Sequence, residues 1–330
     1  MSAFACRLIV EPDDGVEPVR EFIQNAQSSL LIKQFNFTEE DLIRTVIDRS
    51  NAGVAVRVML NAARSGGDRV NDGTFECLES AGIDVKWSSP RFYVTHEKSI
   101  VADEKAAMVA TFNLNPKYFS QTRDYGIITQ DPQHVAQIIE VFDIDWEQRE
   151  ATPADQDGLL WSNSNSRKRM AHFIDMAQDR LDIQHPKYVD AVILDRIAAA
   201  AHRGVKVRIL RGGRHGISEW DILDTFSSLR TLRRFDGVKV HKQKNLRVHA
   251  KLLMVDNQHA LLGSMNIDRS AFDLRRELGM TITDPTVLRR LRETFDADWE
   301  LSQHYDPPDP LEPAEHVEKD FPHDPELLHE

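Results

Sequence analysis

Apolar and polar positions along this chain alternate between two rhythms. Ser29 to Phe35 is a short, largely apolar run of strand length. Thr38 to Asn51 follows as a helix, with Thr38 as candidate N-cap and Glu39, Glu40 and Asp41 placing negative charge in its first turn. Gly53 then leads into a second strand, Val54 to Leu60. The same order returns later as a strand at Arg180 to Gln184, a helix at Asp190 to His202 and a strand at Val205 to Leu210. Strand, helix, strand is a βαβ unit, so the pattern predicts an α/β fold built twice, each copy a sheet flanked by helices.

The return is a duplication. A shift of 151 positions lays Leu8 on Leu159, Phe22 on Phe173, Leu30 on Leu181, Ile32 on Ile183 and Gly53-Val54 on Gly204-Val205. A shift of 153 lays His96 on His249, Lys98 on Lys251, Asp103 on Asp256, Asn113 on Asn266, Arg123 on Arg276 and Asp131-Pro132 on Asp284-Pro285. The phrase at 142–147, Phe-Asp-Ile-Asp-Trp-Glu, recurs at 295–300 as Phe-Asp-Ala-Asp-Trp-Glu. So many matches in one order indicate tandem copies of one unit. The expected domains are residues 1–150 and 158–305, joined by a polar linker containing Pro153 and related by a pseudo-twofold axis.

Residues 306–330 differ in kind, with six prolines, nine acidic residues and one lysine, and read as a disordered or loosely packed tail. That tail explains most of the formal net charge of −12, because residues 1–305 hold 40 basic against 44 acidic groups. The overall charge therefore does not exclude a nucleic-acid substrate. Cys6 and Cys77 provide neither a disulfide framework nor a C-x-x-C pair, and no signal-like start or long apolar run is visible. The expectation is a cytoplasmic protein, with any membrane contact peripheral.

Chemistry concentrates in one repeated motif. His249, Lys251, Asp256, Gly263, Ser264 and Asn266 have the spacing H-x-K-x4-D-x6-G-S-x-N. His96, Lys98, Asp103, Ala110, Thr111 and Asn113 repeat it with Ala-Thr in place of Gly-Ser. Residues i and i+2 of an extended segment share a face, so His249 and Lys251 project together while Ala250, Leu252 and Met254 turn toward a core. Leu261-Leu262 reads as a paired strand ending at Gly263, where the backbone could approach a ligand, and Ser264 and Asn266 add neutral donors. Two such sets converging on one phosphate would supply a nucleophilic imidazole, a second imidazole as acid, and cations with amides around the phosphorus. Such a site needs neither metal nor cofactor, and a single chain would carry it whole and act as a monomer. Asp103 and Asp256 are expected to be structural.

The doubled motif resembles the signature of the phospholipase D superfamily, the HKD phosphodiesterases, over about residues 8 to 300. The resemblance implies a phosphohistidine on His96, with His249 as general acid and then base, although the symmetry of the motifs leaves the reverse assignment open. It also implies that Asp124 and Glu277, each eleven residues after the motif asparagine, orient the imidazoles, with Thr111 and Ser264 in support. Two motifs in one chain and the Phe35-Asn36-Phe37-Thr38 segment look like the lipid-acting, cardiolipin synthase-like members. The leading expectation is a lipid phosphodiesterase or phosphatidyltransferase. A nuclease is the runner-up, and an inactive scaffold or binding protein is the third reading.

His134, His172, His185, His202, His241 and His259 are taken as structural or solvated, and Trp146 and Trp299 as core anchors. Between Leu229 and Lys251 there are eight basic residues and one acidic. That run is either a solvated face or, including Arg230, Arg233 and Arg234, a surface for an anionic membrane. The turns at Ser65-Gly66-Gly67 and Gly212-Gly213-Arg214 are candidates for the mouth of the site.

Overall fold

The computed structural model describes residues 6–155, 157–212, 219–309 and 311. In the first half the chain runs β1 (Cys6–Glu11), α1 (Glu17–Gln24), β2 (Ser29–Gln34), α2 (Glu40–Asn51), β3 (Ala55–Leu60), α3 (Asp72–Ser80), β4 (Asp84–Trp87), β5 (Ser99–Ala102), β6 (Ala106–Ala110), β7 (Thr122–Thr129) and α4 (Pro132–Trp146). The second half repeats this closely: β8 (Leu159–Trp161), α5 (Ser166–Asp175), β9 (Arg180–Gln184), α6 (Ala191–His202), β10 (Lys206–Arg211), α7 (Glu219–Leu232), β11 (Val238–Lys242), β12 (Arg247–Val248), β13 (Leu252–Val255), β14 (His259–Gly263), α8 (Arg269–Asp273), β15 (Leu278–Ile282), α9 (Pro285–Leu301) and β16 (Gln303–His304).

The halves share one topology. The first sheet is ordered β1-β7-β6-β5-β2-β3-β4, and the second is β8-β15-β14-β13-β9-β10-β11, with β16 added beyond β11. In both, a parallel block from the βαβ units meets antiparallel strands carrying the motif. The boundary between the halves is not clean, because β12 pairs in parallel with β7 of the other sheet.

Strand alternation divides the core into three large clusters, beside a small one of Ile222 and Phe226 on α7. Leu30, Ile32 and Val58 face outward and pack under α1 and α2, while Leu181, Ile183 and Val207 do the same under α5 and α6. The opposite faces, with Leu31, Val101 and Ile127 from one sheet and Leu252, Met254 and Leu262 from the other, join α4 and α9 in one apolar cluster common to both halves. Burial of this cluster is what holds the two sheets together.

Several expectations change in detail. Thr38 does not cap α2. That helix begins at Glu40 after an extended Glu39, and the Thr38 hydroxyl accepts from Asn115 Nδ2 at 2.8 Å. Asp190 does cap α6, accepting from the N–H groups of Val192 and Ile193 at 3.2 and 3.1 Å. Trp146 and Trp299 are half-buried against the shared core, beneath the guanidinium groups of Arg57 and Arg208.

The start of the tail is not loose. Arg230 binds Pro307 O and Asp309, and Arg233 pairs with Asp306. Two of the three arginines proposed for a membrane surface are thus engaged within the chain by the first acidic residues after the second domain. Most of the tail, residues 312–330, lies outside the described residues, and so do Gly213 and Arg214. No helix among the described residues is long and apolar enough to cross a membrane.

Candidate active site

The two motifs are fastened by backbone before any side chain acts. The N–H groups of His96 and Glu97 both donate to Arg276 O at 2.9 Å, and those of His249 and Ala250 donate to Arg123 O at 3.2 and 2.9 Å. Each motif is therefore clipped to the opposite half, beside the residue that precedes that half's carboxylate. The side chains then cross as well. His96 Nδ1 lies 2.9 Å from Glu277 Oε2 and 3.1 Å from Ser264 O, and His249 Nδ1 lies 2.8 Å from Asp124 Oδ1.

These contacts set the tautomers. A carbonyl oxygen only accepts, so His96 Nδ1 carries the proton and Nε2 keeps its lone pair. His96 Nε2 is buried and has no hydrogen-bond partner. His249 also donates from Nδ1, to a carboxylate, but Lys251 Nζ stands 2.8 Å from its Nε2. Lys98 Nζ donates to His96 O at 2.7 Å. The imidazoles, both lysines and both carboxylates are almost completely buried. Phe35 meets the His96 ring edge-on at 4.8 Å, and Tyr118 lies 4.9 Å from the His249 ring.

Burial governs the protonation of the group. It pushes both imidazoles down, His96 well below its usual range with Lys98 and Arg275 adding repulsion, and His249 to about 4 against the pull of Asp124. It also pushes the Lys251 ammonium well down. The carboxylates diverge. Burial alone would raise Asp124, but His249, Lys251 and the Thr111 hydroxyl hold it below its usual value. Burial raises Glu277 to about 8, opposed by Lys98 and Arg275.

The supporting residues sort by partner. Thr111 Oγ1 donates to Asp124 Oδ1 at 2.6 Å, so it orients the carboxylate and not the imidazole. The Ser264 hydroxyl bonds the Leu278 backbone, at 3.3 and 3.1 Å, and also helps to lower the Glu277 carboxyl, while its carbonyl reaches His96. Gly263 is needed for strand packing and not for a ligand, since a Cβ there would lie 2.3 Å from Leu278 O. Gly212 similarly packs on the Val248 backbone and is not an open mouth. Asn113 and Asn266 are buried beside the motifs, with Oδ1 of Asn266 unpartnered. Asp103 accepts from the N–H groups of Gln27, Ser28 and Ser29, and Asp256 from those of Gln178, Asp179 and Arg180. Both aspartates tie the hairpin after the motif to the neighbouring βαβ unit.

One part of the site was missed in the sequence. Arg276 Nη2 binds Asp145 at 2.7 Å, and Arg123 Nε binds Asp298 at 2.8 Å, all four residues nearly or fully buried. These ion pairs cross between halves beneath the carbonyls that clip the motifs. All four residues lie in phrases already seen to repeat, which was the available signal.

Known proteins resemble this chain in sequence and in fold. Residues 19–146 and 170–299 each match the family model described as "Cardiolipin synthase, PLD-like domain". A probable cardiolipin synthase of Bacillus subtilis (strain 168) is 23% identical over 325 residues, covering 86% of this chain and 64% of that protein. Cardiolipin synthase A of Pseudomonas syringae pv. syringae is 23% identical over 338 residues, covering 90% of this chain and 69% of that protein. Cardiolipin synthase 2 of Staphylococcus epidermidis is matched over 48% of its length, so the chain spans about half to two thirds of several curated relatives. The crystal structure of a phosphatidylserine synthase from Haemophilus influenzae Rd KW20 superposes with a TM-score of 0.73 at 14% identity, over 92% of this chain and 89% of that one, a likeness of fold.

Proposed function

The chain belongs to the phospholipase D-like family represented by the cardiolipin synthase PLD-like domain, and from that premise we propose that it cleaves phospholipid phosphodiesters and passes the phosphatidyl group to an alcohol or to water. The observation that carries this reading is the reciprocal crossing of His96 onto Glu277 and His249 onto Asp124. It brings two imidazoles of matched tautomer but unequal environment into one buried cluster. Both half-sites lie in one chain, which supports turnover by a monomer.

His96 Nε2, with its lone pair free, attacks phosphorus. The bond to the leaving alcohol breaks, and its oxygen takes a proton from the His249 imidazolium. In the second step neutral His249 removes a proton from the acceptor, whose oxygen attacks phosphorus and breaks the P–N bond. Asp124, held ionised, stabilises the imidazolium on His249. An incoming phosphodiester anion favours that charge further and draws the Lys251 ammonium away from His249 Nε2. Lys98, Lys251, Asn113 and Asn266 surround the non-bridging oxygens, where donors in a water-poor pocket act most strongly.

The test is an EDTA-treated turnover assay offering phosphatidylglycerol, phosphatidylcholine and single-stranded DNA side by side, with peptide mapping for an acid-labile phosphohistidine. Lipid turnover with the adduct on His96, lost in both His96→Ala and His249→Ala, is expected. Turnover of DNA alone makes the protein a nuclease. Near-normal activity in either alanine variant rejects the two-histidine mechanism.

A further inference from the structure

The two half-sites differ at a buried position two residues before each carboxylate. In the first half Thr122 donates its hydroxyl to Asp124 Oδ2 at 2.6 Å. The matching position 153 residues later is Arg275. It follows α8, with its backbone N–H on Ser270 O at 3.0 Å. Its side chain is buried, the residue being 5% exposed, yet Nε and Nη1 have no hydrogen-bond partner.

The guanidinium forms no ion pair among the described residues, although its charge acts on His96, Glu277 and Asp268. Neither carboxylate hydrogen-bonds the guanidinium, although Glu277 Oε1 is itself without a hydrogen-bond partner. Glu277 Oε2 is on His96, and Asp268 holds Lys187 at 3.3 Å, Ser270 Oγ at 2.6 Å and the Ala271 N–H at 2.8 Å. A guanidinium cannot shed its charge, and a buried unpaired cation is strongly unfavourable. An anion entering beside Arg275 would give Nε and Nη1 the hydrogen-bond partners they lack.

Resting on the phosphodiester reading, we infer that Arg275 is a phosphate-binding residue that makes the His96 side the phosphoryl-accepting side of the pocket. Its planar fork holds non-bridging oxygen while the P–N bond to His96 Nε2 forms and the P–O bond to the leaving alcohol breaks, with the proton supplied by His249. Arg275 itself makes and breaks no bond. The lysines act as point charges, whereas a guanidinium recognises tetrahedral phosphate through directed, paired donors. The two motifs are too alike to assign the direction of transfer, and this residue breaks their symmetry. The ligand chemistry is a phosphoryl anion, presented by a lipid diester or by free phosphate.

The test uses the full chain with Arg275→Met and Arg275→Lys, measuring Tm against inorganic phosphate and, separately, against soluble dihexanoyl phosphatidylglycerol, alongside lipid KM and His96 phosphorylation. Without phosphate, Arg275→Met should melt about 2 °C or more above the wild type, because a buried unpaired charge has been removed. It should lose at least tenfold in phosphate affinity and raise the lipid KM at least tenfold, and Arg275→Lys should recover part of both. A destabilised Arg275→Met that keeps the phosphate response makes the residue structural and overturns the inference, as does a wild type with no phosphate response. Arg275-dependent phosphate binding without lipid turnover upholds Arg275 as a phosphate ligand and defeats the phospholipid reading instead.

Discussion

His96 and His249 hold equivalent places in the repeat, yet each faces a carboxyl group of different character. Asp124 stays ionised beside His249, Lys251 and two hydroxyl donors, while Glu277 is pushed up to about 8 by burial. An amide can replace a neutral carboxyl as acceptor, but not the charge that an imidazolium needs. Glu277→Gln should therefore lose less than about tenfold in turnover of bis(p-nitrophenyl) phosphate near pH 7, and Asp124→Asn about 10²-fold or more. Equal losses would contradict the division of roles. His185, outside the motifs, is fully buried and bonded to Met265 O and the Lys187 N–H, and burial lowers it to about 3. Its folded value lies below its unfolded one, so its contribution is present above about pH 6.5 and is lost as pH falls toward 3. Urea unfolding of the wild type should show about 2 kcal/mol of pH-dependent loss from this residue between pH 7 and 5. His185→Gln, which installs the residue found at the matching Gln34, should flatten that limb.

At the level of elements, β7 and β15 carry the most. β7 itself, and in the second half the residues Arg276 and Glu277 that lead into β15, present an arginine carbonyl to the other half's motif, a carboxylate to the other half's histidine, and a guanidinium to the aspartate on the other half's last long helix. Asp298→Ala leaves the buried Arg123 with only the half-exposed Asp13 as an ionic partner and should cost about 2–3 kcal/mol by chemical denaturation. The Arg123→Met/Asp298→Leu double variant should recover most of it. The strands, helices and motif positions were legible because local periodicity and spacing report them. Asp145 and Asp298 were not. The repeated phrase drew attention to its tryptophans, which turn out half-buried, while the aspartates beside them find partners 131 and 175 residues away. No local pattern encodes a partner at that distance. The Thr38 cap failed for the same reason, since Asn115 from the motif loop takes its hydroxyl.

Across the whole molecule, the shared apolar cluster makes the two halves one body, and the acidic tail makes the charge uneven. Removing residues 306–330 should free Arg230 and Arg233 and raise binding to phosphatidylglycerol vesicles several-fold in low salt, measured by co-sedimentation against the full chain. Unchanged sedimentation would mean that those contacts shield nothing. The amino-acid sequence by itself determined that one unit occurs twice and where its motif residues recur, because spacing along the chain and duplication are properties of the covalent order. Only the tertiary structure decided that each histidine is oriented from the opposite half. A repeat is as compatible with pairing inside a unit as with pairing between units, and the choice was made when the apolar inner faces of the two sheets packed together and brought each motif against the other half's β7 or the residues leading into β15.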